Sequence, residues 1–103
     1  MTLKDFKSTI ASRKMHDPLP DALKAMWHDA AGNWERAHDI AQEISEAEGS
    51  WIHAYLHRKE GDQSNAAYWY RRAGRPVCNT SLDQQWDDIT TVLLQHHRDV
   101  RAL

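Results

Sequence analysis

The sequence predicts an all-α protein: a stack of antiparallel helix pairs, about five to six helices in one domain. Three observations carry that expectation. Apolar residues recur three and four apart in segment after segment, and no stretch of useful length alternates with the period of a strand. Glycine stands where those segments stop. The chain also echoes itself at an offset of 29 residues: Ala25, His28, Gly32 and Ala37 recur as Ala54, His57, Gly61 and Ala66, with Asn33 answered by Asp62.

A first helix is predicted over Thr2 to Met15, with Thr2 and Asp5 placed as cap and third helical residue and Leu3, Phe6 and Ile10 at helical spacing. Pro18 and Pro20 then exclude helix interior, so residues 16–20 read as an extended link and the N-terminal helix as loosely packed. A second helix from Asp21 carries Leu23, Met26, Trp27 and Ala30 and ends at Gly32-Asn33. The third runs from about Trp34 to Ala47 through Ala37, Ile40, Ala41 and Ile44, with Gly49-Ser50 as its stop. A fourth is expected from Ser50 to Glu60, stopped by Gly61-Asp62, and a fifth from Gln63 to Ala73, closed by Gly74 and Pro76. After a loop over Arg75 to Thr80, Ser81 caps a last helix whose stripe is Leu82, Trp86, Ile89, Leu93 and Val100. The domain therefore divides into an N-terminal helix (1–16), two helix pairs (21–76) and a C-terminal capping helix (81–103).

Composition excludes more than it specifies. With 103 residues there is room for one modest core. Thirteen Lys and Arg against fifteen Asp and Glu, a net charge of -2, give no electrostatic reason to expect nucleic acid or an anionic membrane as partner. No apolar run approaches the roughly 20 residues a bilayer requires. A lone Cys78 forms no internal disulfide, and the N-terminus lacks the layout of a signal peptide, so a cytoplasmic location is expected. No phosphate-cradling glycine loop, nucleophile elbow or dinucleotide fingerprint is present, and no cofactor is expected.

With Gly61 as the turn between two helices, Ala54, Ala66, Tyr70 and Ala73 fall where a tetratricopeptide repeat has its small, small, aromatic and small packing positions. The chain resembles that family over residues 21–76, although its period of 29 is shorter than the family's about 34. The run from Trp51 to Pro76 also resembles a motif of small uncharacterised bacterial proteins, a likeness that brings no activity with it. The tetratricopeptide likeness implies a concave face holding a peptide or protein. Its matching positions are Trp51, Tyr55, Arg58 and Lys59, with Ala22 and Met26 in the first pair. Aromatic and cationic side chains there suit an acidic or C-terminal carboxylate peptide.

The fifth helix adds Asn65, Trp69 and Arg72 on one stripe and Tyr68, Arg71 and Arg75 on another. Three consecutive aromatics cannot all face inward, so Tyr68 or Trp69 should meet the last helix with its Trp86, a second copy of the chain, or a ligand. Five tryptophans in so short a chain favour an exposed aromatic patch, and with it a homodimer. The leading expectation is a protein- or peptide-binding module.

The alternative is a metal- or small-molecule-binding protein, extending to an enzyme, centred on His53 and His57. Their separation of four lets two imidazoles meet one ion. Glu60 continues the stripe but lies about 10 Å from His53 along the axis, so a third ligand must come from elsewhere, with His38 and Asp62 available. Ala54 stands where a zinc peptidase has its glutamate. An enzymatic set would be His53, His57, Glu60 and Arg72. The repeat favours a fold-serving role for His28 and His57, each bonding a carbonyl at its helix end.

Overall fold

A computed structural model describes residues 1–15 and 18–102, with side chains as far as His97. Among the described residues there are six helices and no strand: α1 (Leu3–Ala11), α2 (Asp21–Ala30), α3 (Trp34–Gln42), α4 (Ala47–Lys59), α5 (Gln63–Ala73) and α6 (Leu82–Ala102). His16, Asp17 and the Val100 side chain, assigned above to the link and to the last apolar stripe, lie outside the described set.

The turns joining α2 to α3 and α4 to α5 are built alike. Gly32 and Gly61 both have φ +91°, a geometry only glycine adopts without strain. The next residue's amide returns to the histidine carbonyl four residues before each glycine: Asn33 N–H to His28 O at 2.8 Å, and Asp62 N–H to His57 O at 2.9 Å. Asn33 and Asp62 then cap the following helices, accepting from the amides of Arg36 and Asn65. These short turns fold α2 against α3 and α4 against α5, and the pairs stack through α3 and α4.

α4 is the axis of the molecule. Trp51 through His57 are all buried, as befits a helix surrounded by α2, α3, α5 and α6. Ala37, Ala54 and Ala66, each at most 1% exposed, keep the crossings close. α6 covers the open end of the stack with Trp86, Ile89, Leu93 and Leu94 buried, its start capped by Ser81 Oγ accepting from Gln84 N–H. The indole of Trp86 donates to the Met26 carbonyl at 3.1 Å.

Three boundaries differ from the sequence reading. α1 ends at Ala11, because Arg13 takes a left-handed φ of 60° and Lys14 N–H closes on Thr9 O. It is also firmly held rather than loosely packed. Phe6 is fully buried, 6.2 Å from the Trp86 ring, and the Trp27 indole donates to Thr9 Oγ1. α3 stops at Gln42, not Ala47, and α4 begins at Ala47, so Gly49 is a buried interior residue of α4 and not a stop. A Cβ on Gly49 would run into the backbone and side chain of Ile44, and that close approach is why glycine stands there.

No helix among the described residues is long and apolar enough to cross a membrane.

Candidate metal centre

On the side of α4 flanked by α3 and α5, three imidazoles converge. His53 and His57 stand one turn apart on α4 with rings stacked at 4.7 Å and 21°. His38 comes from α3, whose start is fixed to α4 by the Trp34 indole donating to Leu56 O at 2.9 Å. One turn on from Trp34, His38 reaches His53, the two Nε2 atoms 2.9 Å apart and the rings edge to face at 4.6 Å. One ligand nitrogen from each of His38, His53 and His57 lies within 4.8 Å of the other two.

Aromatic rings wall the cluster. Trp34 lies parallel to His38 at 5.0 Å and edge-on to His57 at 6.3 Å, while Trp69 of α5 stacks on His53 at 4.0 Å. His53 and His57 are 6% and 7% exposed and His38 is half-buried, so of the three rings His38 meets the most solvent. Burial, with the neighbouring His38 and His57, pushes the His53 imidazole down to about 4, which keeps it neutral near pH 7 with a lone pair to offer.

The tautomer of His57 follows from its partners. Its Nδ1 lies 2.7 Å from Glu60 Oε1, so Nδ1–H donates to the carboxylate, and in the neutral ring Nε2 is the nitrogen left with the lone pair. Asn65 Nδ2 lies 3.4 Å from that Nε2. A carboxylate on the far nitrogen is the usual outer support of a metal-bound histidine. Glu60 therefore orients His57, where the sequence reading had a helix-end carbonyl as its partner. His57, Glu60 and Asp62 form a second group within ligand reach, but Glu60 is exposed and Asp62 Oδ1 already accepts from Asn65 N–H at 3.2 Å. His28, the repeat partner of His57, packs edge-on to Trp27 at 5.4 Å.

The other residues singled out in the sequence separate into two sets. Asn65 and Trp69 join the imidazoles. Trp69 meets α4 rather than the last helix, because Trp86 is turned toward Phe6 and Met26. Next to it, Tyr68 is 43% exposed, and Arg72 packs over the Tyr68 and Trp69 rings at 5.9 and 5.3 Å. Trp51 is buried beneath the Arg75 guanidinium, 3.8 Å from its ring centre. Tyr55 is buried with its hydroxyl on Asp29, Lys59 pairs with the same carboxylate, and Arg58 donates to Gln85 and to Thr80 O. These four side chains are held by partners within the fold. Trp34 carried no functional reading in the sequence. Its signal is an aromatic directly after the helix cap and four residues before His38.

Tetrahedral coordination at metal–nitrogen distances of 2.0–2.1 Å sets ligand nitrogens about 3.3 Å apart. The 2.9 Å contact between His38 and His53 is an N–H···N hydrogen bond that an ion would replace, with the two rings parting by about 0.4 Å. On binding, the proton between the two Nε2 atoms would pass to Nδ1 of the donating ring, leaving both imidazoles as neutral ligands. No protein-family model, curated protein or solved structure matches the chain.

Proposed function

We propose that the protein binds one divalent transition-metal ion, zinc in the first instance, through His38, His53 and His57. The observation that carries this reading is the convergence of three imidazoles from two helices, with Glu60 on the far nitrogen of His57. Three imidazole ligands suit zinc, copper or nickel better than a hard cation. A fourth position is left for water or a small ligand, the arrangement zinc uses when it acts as a Lewis acid. Elemental analysis after reconstitution tests it: one equivalent is expected in the wild type and none in His38→Ala or His53→Ala. Glu60→Gln should retain the ion with affinity lowered about 10- to 100-fold. A wild-type protein that takes up no zinc, cobalt, nickel or copper would end this reading.

A second reading, a module that engages an acidic peptide or a second copy of the chain, draws support from exposed Tyr68 beside Arg71 and Arg72 on α5. Such aromatic and arginine pairs dominate interface energetics. Sedimentation of the wild type against Tyr68→Ala tests the self-association form of it.

A further inference from the structure

The three imidazoles leave a fourth position on a tetrahedral ion, and Asn65 is the one α5 side chain hydrogen-bonded to any of them. It lies in the first turn of α5, where Asp62 Oδ1 holds its backbone N–H at 3.2 Å. The next residue, Ala66, is 1% exposed and keeps the helix crossing close. From this fixed backbone the half-buried side chain sets Nδ2 3.4 Å from His57 Nε2, the nitrogen left for an ion once Glu60 engages Nδ1.

In the metal-free protein the side-chain amide donates to the Nε2 lone pair. An ion would take that lone pair and put positive charge where the amide hydrogen points. The donor end is then repelled and the carbonyl end attracted. No second hydrogen bond holds the Asn65 side chain among the described residues, so a half-turn about χ2 costs one long hydrogen bond and brings Oδ1 to the place of Nδ2. The distance already fits: ligand atoms about a tetrahedral ion stand about 3.3 Å apart, and this one stands 3.4 Å from Nε2. Asp62, another oxygen donor near His57, groups with His57 and Glu60 and not with His38 and His53.

We propose that Asn65 is the resident ligand of the fourth position: its side chain turns over as the ion enters, and Oδ1 completes the coordination. The inference rests on the metal centre proposed above. Imidazoles and an amide oxygen are neutral as ligands, so the ion keeps its double charge behind a weak oxygen donor. A small anion binds by displacing that oxygen, and Asn65 thereby sets how readily the centre opens.

Titration of the cobalt(II)-loaded protein with sodium azide, followed by the visible absorption of the ion, tests the assignment. In Asn65→Ala, where water takes the place of the amide, azide should bind about 10-fold more tightly than in the wild type. Asn65→Asp puts an anionic oxygen at the same place, and azide should then bind about 10-fold more weakly than in the wild type. Azide affinity that is unchanged or weakened in Asn65→Ala overturns this inference alone, since the amide would then be a bystander or a donor to the bound anion. A wild type that takes up no cobalt ends the metal centre and the inference together.

Discussion

The Asp29 carboxylate is 1% exposed, and an ionised group at that depth is tolerated only when it is paired and hydrogen-bonded. Lys59 supplies the pairing from a partly exposed position, so its loss costs less than that of a fully buried partner. Lys59→Met should destabilise the fold by about 2 kcal/mol, because the carboxylate is then left with the Tyr55 hydroxyl alone. Adding Asp29→Asn to that variant should recover part of the loss, since the stranded charge is removed. Urea denaturation of both single variants and the double variant measures this, and strictly additive losses would contradict it. His53 carries a different consequence, for acid stability. Its folded pKa of about 4 lies below the unfolded value near 6.5, so the unfolded chain binds the extra proton. The stability contributed by neutral His53 is complete above about pH 6.5 and is lost as pH falls toward 4, by at most about 3 kcal/mol. Burial lowers His28 as well, with the same sign. In chelator-treated protein, His53→Gln should flatten the fall between pH 6.5 and 4 without abolishing it. An unchanged slope would show that His53 gains its proton equally in both states.

At the level of helices, Gly49 inverts a familiar rule. Replacing an interior helical glycine by alanine usually stabilises by about 0.5–1 kcal/mol. Here the added Cβ would strike the Ile44 carbonyl and Cβ, so Gly49→Ala should destabilise by more than about 1 kcal/mol, measured by thermal unfolding. Ala66→Leu, at the fully buried crossing of α5 on its neighbours, should cost about 1–3 kcal/mol by overpacking. The same residues explain what the sequence could convey. Caps and stops encoded locally were legible, as with Thr2, Ser81 and the turns at Gly32 and Gly61. Gly49 was misleading because its cause is a contact with the preceding segment, whereas glycine followed by serine reads locally as a terminus. The site divides in the same way. Spacing on one helix reveals His53 and His57, while His38 was one of two available partners until the bond from Trp34 to Leu56 O fixed the register of α3 on α4. Trp69 was legible as an aromatic in need of a neighbour, but not that the neighbour would be His53.

The imidazole centre and a cleft lined by α1, α2, α4 and α6, with Asp29 and Tyr55 at its base, lie on opposite sides of one buried helix, so α4 positions both. Their mechanical consequences differ. That cleft is lined from helices already joined, α1, α2 and α6 by Phe6, Trp27 and Trp86 and α4 by the Tyr55 hydroxyl on Asp29, whereas the imidazoles join α3 to α4 across the turn at residues 43–46, the junction between the two helix pairs. An ion held by His38, His53 and His57 would close that junction in the folded chain alone, so its binding energy adds to folding. At zinc concentrations a thousandfold above Kd the gain is about 4 kcal/mol, and for a chain of this length each kcal/mol moves the midpoint by roughly 4–8 °C. Zinc should therefore raise Tm by roughly 15 °C or more, and a chelator should reverse it. In His38→Ala the zinc response should vanish while the metal-free midpoint changes by far less, because His38 is half-buried and α3 keeps its bond from Trp34. Hydrogen exchange locates the effect: amides of α3 should gain protection with zinc, and those of α1 should follow only the global change. A wild-type midpoint indifferent to zinc would leave the three imidazoles as a packed, hydrogen-bonded cluster that serves the helix crossing alone.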